Sequence, residues 1–185
     1  QLGIHLAQRR GEGMEFKQLR EFIEGDAILQ IDWKATARHR KPISREYQDE
    51  RDQDVFFLLD CGRRLRHQDG ELSHFDRALN ALYLTAYIAI RQGDAAGFQT
   101  FAGSDRWLSP IKGKTATNIL LNQLYDLEST AANSDFLHAA ETFLSRHRKR
   151  SLVIIISNIR EEDGEDLLKA TRLLSKRHVV LVANL

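Results

Sequence analysis

The chain has 185 residues, 42% of them hydrophobic and 29% charged, which is enough for one domain with a buried core and ordinary for a globular fold. A formal net charge of +1 excludes bulk attraction to nucleic acid or to an anionic membrane, so either would need segregated charge. A single cysteine, Cys61, excludes a disulfide framework and a cysteine-built zinc site.

Residues 1–53 are charged and irregular. They hold the pair Arg9–Arg10, a turn at Gly25–Asp26, strand-like pieces around 28–33 and 43–47, and the basic stretch KATARHRK at 34–41. No aromatic residues interleave these cations or RHRKR at 146–150, so solvated loops and helix ends are expected there, with no nucleic-acid groove. From Val55 the pattern changes. VFFLLD (55–60) is a continuous apolar run, expected as a strand covered on both faces. It delivers Asp60 at its carboxyl end, followed by Arg63, Arg64 and Arg66.

Ser73 and Asp76 have the spacing of a capping box. The helix it opens carries Leu79, Leu82, Ala86 and Ile90 on one stripe and ends near Gly93. AAGFQTFA (95–102) is the next strand, with RWLSPIKG (106–113) as a neighbour, and helices are expected at about 115–127 and 135–148. SLVIIIS (151–157) is a second buried strand. An acid-rich helix start at Glu161–Asp166 suits the helix dipole and runs to about Lys176, before a last strand, HVVLVAN (178–184).

This alternation predicts a parallel α/β sheet wrapped by helices, whose ligands sit beyond the carboxyl ends of the strands. Asp60 and Ser157–Asn158 occupy such ends. Two parts are expected: an extension over 1–53 and an α/β domain over 54–185. The chain opens at Gln1 and stops straight after a strand pattern, so a piece of a longer protein is expected. No apolar run reaches the length of a bilayer span.

Several motifs are incomplete. Gly113-Lys114-Thr115 lacks the glycine five residues earlier that a phosphate loop needs; that position is Leu108, and Pro110 interrupts the stretch. The seven histidines include no i, i+4 pair. There is no Gly-x-Ser-x-Gly elbow. Cys61 has no histidine partner nearby in sequence, so a buried spectator is expected.

A parallel sheet with Asp60 ending its first strand and a polar pair ending a later one resembles the von Willebrand factor type A fold. That resemblance implies a metal-ion-dependent adhesion site. Its strand-end loop is Asp-x-Ser-x-Ser, joined by a threonine from a later loop and an aspartate after the fourth strand. The matching positions here are Asp60, Gly62, Arg64, Ser134 and Asn158, with Thr130 as an alternative for the later loop. Gly62 supplies no side-chain oxygen, Asn158 supplies a neutral one, and Arg64 brings a cation to a cation's place. At roughly 4–5 Å that repulsion is on the order of several kcal/mol. The expectation is a degenerate site without metal, in which Arg64 or Arg63 folds back onto Asp60. The alternatives are a magnesium ion held through water by Asp60 and Ser134 and, for Ser134 alone, a plain helix N-cap.

A longer ordered pattern is more specific. Gly11, Gly13, Glu15-Phe16, Leu19-Arg20, Gly25-Asp26, Ile31-Asp32-Trp33, Ala37-Arg38 and Glu46, followed by GDAAGFQTF (93–101) and RSLVIIISN (150–158), closely resemble the bacterial family labelled domain of unknown function 58. The resemblance implies a von Willebrand factor type A-like domain behind a charged extension. In many parents it implies hydrophobic helices ahead of that extension, and action alongside MoxR-type AAA+ ATPases. The function expected is a non-enzymatic protein-interaction or adaptor domain without a cofactor. It would be cytoplasmic, on a parent anchored in the inner membrane, and would meet the membrane only through segments absent from this chain.

Its ligand face would be Asp60, Gly62, Arg63, Arg64, Ser134 and Asn158, which favours an acidic protein partner. The other classes weighed are a cation-dependent binding domain and an enzyme with Asp60 as acid–base group and Arg63 or Arg64 as anion clamp. The second lacks a further positioned acid or base. Glu15, Arg20, Asp26, Asp32, Trp33, Arg38 and Glu46 are expected to be mainly structural, as an ion-pair lattice anchored by Phe16, Ile31 and Trp33. The competing role is a recognition surface around Trp33 and Arg38.

Overall fold

A computed structural model of the chain describes residues 14–49 and 53–185. Gly11, Gly13 and the Arg9–Arg10 pair lie outside the described residues, as does the side chain of Glu15. The chain divides into two compact units, residues 1–51 and 52–185.

In the first unit, strands β1 (Met14–Glu21) and β2 (Ile43–Asp49) pair antiparallel, with a register slip between Phe16 and Gln18. Between them come a 3-10 turn, Ile28–Gln30, a bridge from Ile31 to Ser44, and the short helix α1 (Trp33–His39). The strand-like piece expected over 28–33 is therefore a turn and a helix start. Asp32 decides this: its Oδ1 accepts the amides of Lys34 and Ala35, both at 3.0 Å, and satisfies two orphan donors of the first turn. Arg20 and Asp26 form a two-pronged ion pair at 2.7 Å on each prong. Arg45 meets Asp32 at 2.9 Å, Lys41 meets Glu21 at 3.0 Å, and Gln18 donates to Glu46 at 2.7 Å. Arg38 is exposed and forms no ion pair among the described residues. Trp33, expected as an apolar anchor, is 68% exposed.

The second unit contains β3 (Asp54–Asp60), a small hairpin of β4 (Gln68–Asp69) and β5 (Leu72–Ser73), and α2 (His74–Gln92). It continues with β6 (Ala95–Phe101), β7 (Trp107–Ile111), α3 (Ala116–Leu124) and α4 (Phe136–Arg146). It ends with β8 (Ser151–Ser157), α5 (Gly164–Leu174) and β9 (Val179–Asn184). The sheet order is β7-β6-β3-β8-β9; every pairing is parallel except β7 with β6. This is the mixed α/β fold expected of a von Willebrand factor type A-like domain. The acid-rich start expected at Glu161 is a 3-10 turn, Glu161–Asp163, leading into α5.

Every residue of β3 is buried, because helices cover both faces of the sheet. Val55, Phe57, Leu59 and Cys61 pack with Leu82, Ala86 and Leu120 of α2 and α3. Phe56 and Leu58 pack with Phe136, Phe143, Ala170 and Leu174 of α4 and α5. Each large side chain buried in this way contributes about 1.5–3 kcal/mol. Strand alternation puts Asp60 on the same side as Phe56 and Leu58, toward α4. The helix α2 starts as expected: Ser73 Oγ accepts the Asp76 amide at 3.0 Å, and Asp76 Oδ2 accepts the Ser73 amide at 3.1 Å.

Candidate functional site

β3 and β8 run side by side with Leu59 opposite Ile156, so Asp60 and Ser157 reach the carboxyl end of the sheet together. Asp60 is 0% exposed. A carboxylate at that depth needs donors, and three separate segments supply them. The Gly62 amide donates to Oδ1 at 2.7 Å, and the Ser157 hydroxyl donates to Oδ2 at 2.5 Å. The Ser134 hydroxyl lies 2.8 Å from Oδ1 and 2.7 Å from Oδ2, shared between them. Ser134 is free for this because Asp135 caps α4, accepting the His138 amide at 2.8 Å. Thr130, the alternative for this position, donates to the Ala102 carbonyl at 2.5 Å and holds the loop to Cys61 through its amide at 2.6 Å.

Neither arginine meets Asp60. Arg64 crosses to the turn before α5 and pairs with Glu162 and Asp163. Arg63 is exposed, and its amide donates to the Ala132 carbonyl at 3.0 Å. The expected exchange of a guanidinium for a metal is overturned. Asp60 is already satisfied by neutral donors, and the acids of the next turn give Arg64 a partner closer to water at lower desolvation cost. Asn158, 9% exposed, donates to His74 Nδ1 at 3.0 Å and so faces the start of α2. Ser157, which the sequence places at a strand end but not in the expected ligand face, is the β8 residue that reaches Asp60. Its signal was its place at the end of SLVIIIS, one residue before Asn158.

The donors here do not fit a hard divalent cation of the kind the fold resemblance implies. A Cβ placed on Gly62 would lie 2.7 Å from Ser134 Oγ and 2.9 Å from both the Ala132 carbonyl oxygen and Asp60 Oδ1. The loop has closed over the space where a ligating serine would stand. Asn158 is turned to His74, and among the described residues Asp60 is the one carboxylate in its own cluster of donors. Among the described residues no group of three or more His, Cys, Asp or Glu side chains is placed to hold a metal.

Nucleophilic chemistry fits no better. Cys61 is fully buried, and burial, with the charge of Asp60 beside it, pushes its thiol up to about 12. Among the described residues, this end of the sheet exposes the guanidinium groups of Arg63 and Arg66, on the 3-10 turn Arg63–Arg66, and of Arg160 before α5, together with His67 and the carboxylates of Glu161 and Glu162.

Comparison with known proteins bears on the fold and the family. Three curated relatives, known only as uncharacterized proteins of Mycobacterium bovis and of two strains of Mycobacterium tuberculosis, are each 22% identical over 182 residues. The alignments take in 97% of this chain, which spans 57% of the length of those relatives. Among solved structures, an aerotolerance-related membrane protein from Bacteroides fragilis, bearing multiple mutations to serines, has a similar fold. It shares 18% identity at a TM-score of 0.53, over 71% of this chain and 67% of that one. Among the described residues no helix is long and apolar enough to cross a membrane. The model of the family described as "Protein of unknown function DUF58" matches residues 18–185, reaching from β1 to the last residue, and the chain belongs to that family.

Proposed function

We propose that this chain is a non-enzymatic protein-interaction domain whose binding face is the cationic rim at the carboxyl end of the sheet. One observation carries the reading: both oxygens of Asp60 are occupied by Gly62, Ser134 and Ser157, beneath a surface where Arg63 and Arg66 are exposed and form no ion pair among the described residues. A carboxylate so enclosed is a structural anchor; it is out of reach of a substrate proton. The exposed guanidinium groups suit an acidic partner surface, since their planar forks take carboxylates in pairs of hydrogen bonds. No cofactor is part of this proposal.

The family resemblance supports a MoxR-type AAA+ ATPase as the first partner to test. It also supports a cytoplasmic position on a parent held in the inner membrane, for which the Bacteroides membrane protein of similar fold is a further support. The experiment is a cross-linking pull-down from bacterial extract with the wild type and an Arg63→Glu/Arg66→Glu variant. The reading expects a partner that is captured at low salt, weakened at high salt and lost in the variant. A partner held equally by both forms, or equally at both salt concentrations, overturns it.

A further inference from the structure

The cationic rim is folded into a groove. The turn after β3 and the turn before α5 face each other across an open space of about 670 Å³ lined by Arg63, Arg64, Arg66, His67, Arg160 and Glu162. The charges lining it are unequal in role. Glu162 and Asp163 are both engaged by Arg64, whose side chain is 14% exposed and ties the two turns together. Arg63, Arg66 and Arg160 are exposed and form no ion pair among the described residues. Glu161 lines the adjoining hollow, not this one. Four arginines against Glu162 and Asp163 leave a formal charge of +2, counting His67 as neutral.

That arrangement suits one kind of anion better than another. A carboxylate carries one negative charge and two oxygens, which a single arginine fork satisfies. A phosphomonoester carries about −1.5 to −2 and presents three strong acceptor oxygens, so it uses several forks at once. Three unpaired forks around one groove therefore exceed what a glutamate or aspartate can occupy. The strut formed by Arg64 holds the two walls, so the unpaired arginines need not be gathered when the anion arrives. Less ordering is then lost on binding.

We infer that this groove is a phosphomonoester site, which takes a phosphorylated side chain of the partner protein on Arg63, Arg66 and Arg160. The inference rests on the reading of this rim as a protein-binding face and names the group that the face selects. Neither the family pattern nor the adhesion-site positions include Arg66 or Arg160.

The test is a titration of the 185-residue chain at fixed ionic strength, followed through the arginine side-chain NMR signals. The probes are inorganic phosphate, O-phosphoserine, glutamate and a glutamate-rich peptide. Phosphate and phosphoserine should bind saturably and at least tenfold more tightly than glutamate, shifting Arg63, Arg66 and Arg160. Arg63→Gln and Arg160→Gln, both at exposed unpaired positions, should each weaken binding at least fivefold. Arg91→Gln, at the far end of α2, should leave it unchanged. An unsaturable response, an equal response to glutamate, or undiminished binding in the two variants overturns the inference. So does binding of free phosphate without phosphoserine, which would make this a site for a free anion. If the glutamate-rich peptide binds in a salt-sensitive way and phosphate does not compete, the acidic-partner reading stands and the phosphate site falls. If no probe binds, both fall.

Discussion

Ser157 Oγ sits 2.5 Å from Asp60 Oδ2, a contact between residues that are 97 positions apart and adjacent only because β3 and β8 run in parallel register. Neither residue has any measurable exposure. Removing the hydroxyl leaves a fully buried carboxylate short of a donor, which costs about 1–3 kcal/mol. Ser157→Ala should therefore lower the unfolding free energy, read from urea denaturation, by that amount and cost at least as much as Ser134→Ala. Unchanged stability in Ser157→Ala would show that Asp60 is not anchored as described.

Gly62 gives a second expectation. Any side chain there enters the space held by Ser134, Ala132 and Asp60, so Gly62→Ser should be destabilising, by about 1–3 kcal/mol for an overpacked site. It should not create a cation site either. Millimolar magnesium should leave the melting temperature of both wild type and Gly62→Ser unmoved. A magnesium-dependent rise in either protein would overturn the account of the loop given above.

Arg64 is the link between two turns, so its loss should be felt at both. Arg64→Ala should destabilise the protein by about 1–3 kcal/mol, between the cost of exposed and fully buried pairs. In a double-mutant cycle with Asp163→Ala the two losses should fall clearly short of additive. Strict additivity would mean that the pair contributes nothing.

The opposite pole of the sheet predicts a pH dependence. His147 Nε2 lies 2.7 Å from Ser151 Oγ and 3.7 Å from Asp54, which Lys149 also engages at 2.8 Å. His178 packs edge-on against Phe143, ring centres 5.0 Å apart, and among the described residues neither of its ring nitrogens has a hydrogen-bond partner. Burial holds both imidazoles below their ordinary value of 6.5. Asp54 opposes this at His147, while His147 and Arg177 reinforce it at His178. The unfolded chain therefore takes up protons first. Stability from these residues is complete above about pH 6.5 and declines as the pH falls through that value toward the lower folded-state pKa values. Urea midpoints should drop between pH 7 and pH 5, and His178→Leu should flatten that slope. An identical slope in the variant would assign the effect to other groups.

In the first unit, Asp32 and Arg38 separate two roles. Asp32 caps α1 and pairs with Arg45, so Asp32→Ala should cost about 0.5–2 kcal/mol and speed amide exchange at Lys34 and Ala35. Arg38 is exposed, so Arg38→Ala should change stability by less than about 0.5 kcal/mol. Equal losses in the two variants would place Arg38 in the structural lattice after all.

The buried strands were readable in advance because a strand covered on both faces has no choice but to be apolar throughout, as VFFLLD and SLVIIIS are. The start of α2 was readable because Ser73 and Asp76 satisfy each other's amides locally. What depended on distant partners was not readable. Ile31-Asp32-Trp33 looks strand-like residue by residue, and only the cap made by Asp32 turns it into a helix start. Arg64 pairs with Glu162, 98 positions away, and nothing in its neighbourhood announces that. Ser134 is the better match for the later-loop position and Thr130 the alternative, but sequence spacing does not say which loop residue is lifted toward Asp60; the structure gives that place to Ser134. Ser157 is legible as a strand end, but the adhesion-site pattern falls on Asn158, and only the parallel register of β3 and β8 shows which of the two reaches Asp60.

Asp60 gathers Gly62, Ser134 and Ser157 from three segments at one buried point, while Arg63, Arg66 and Arg160 stand outside it in water. On the proposed reading, folding and recognition are thereby assigned to different atoms. The exposed cations touch none of the groups that hold Asp60, so on that reading they could be replaced one at a time, and the partner exchanged, while the joint underneath keeps its shape.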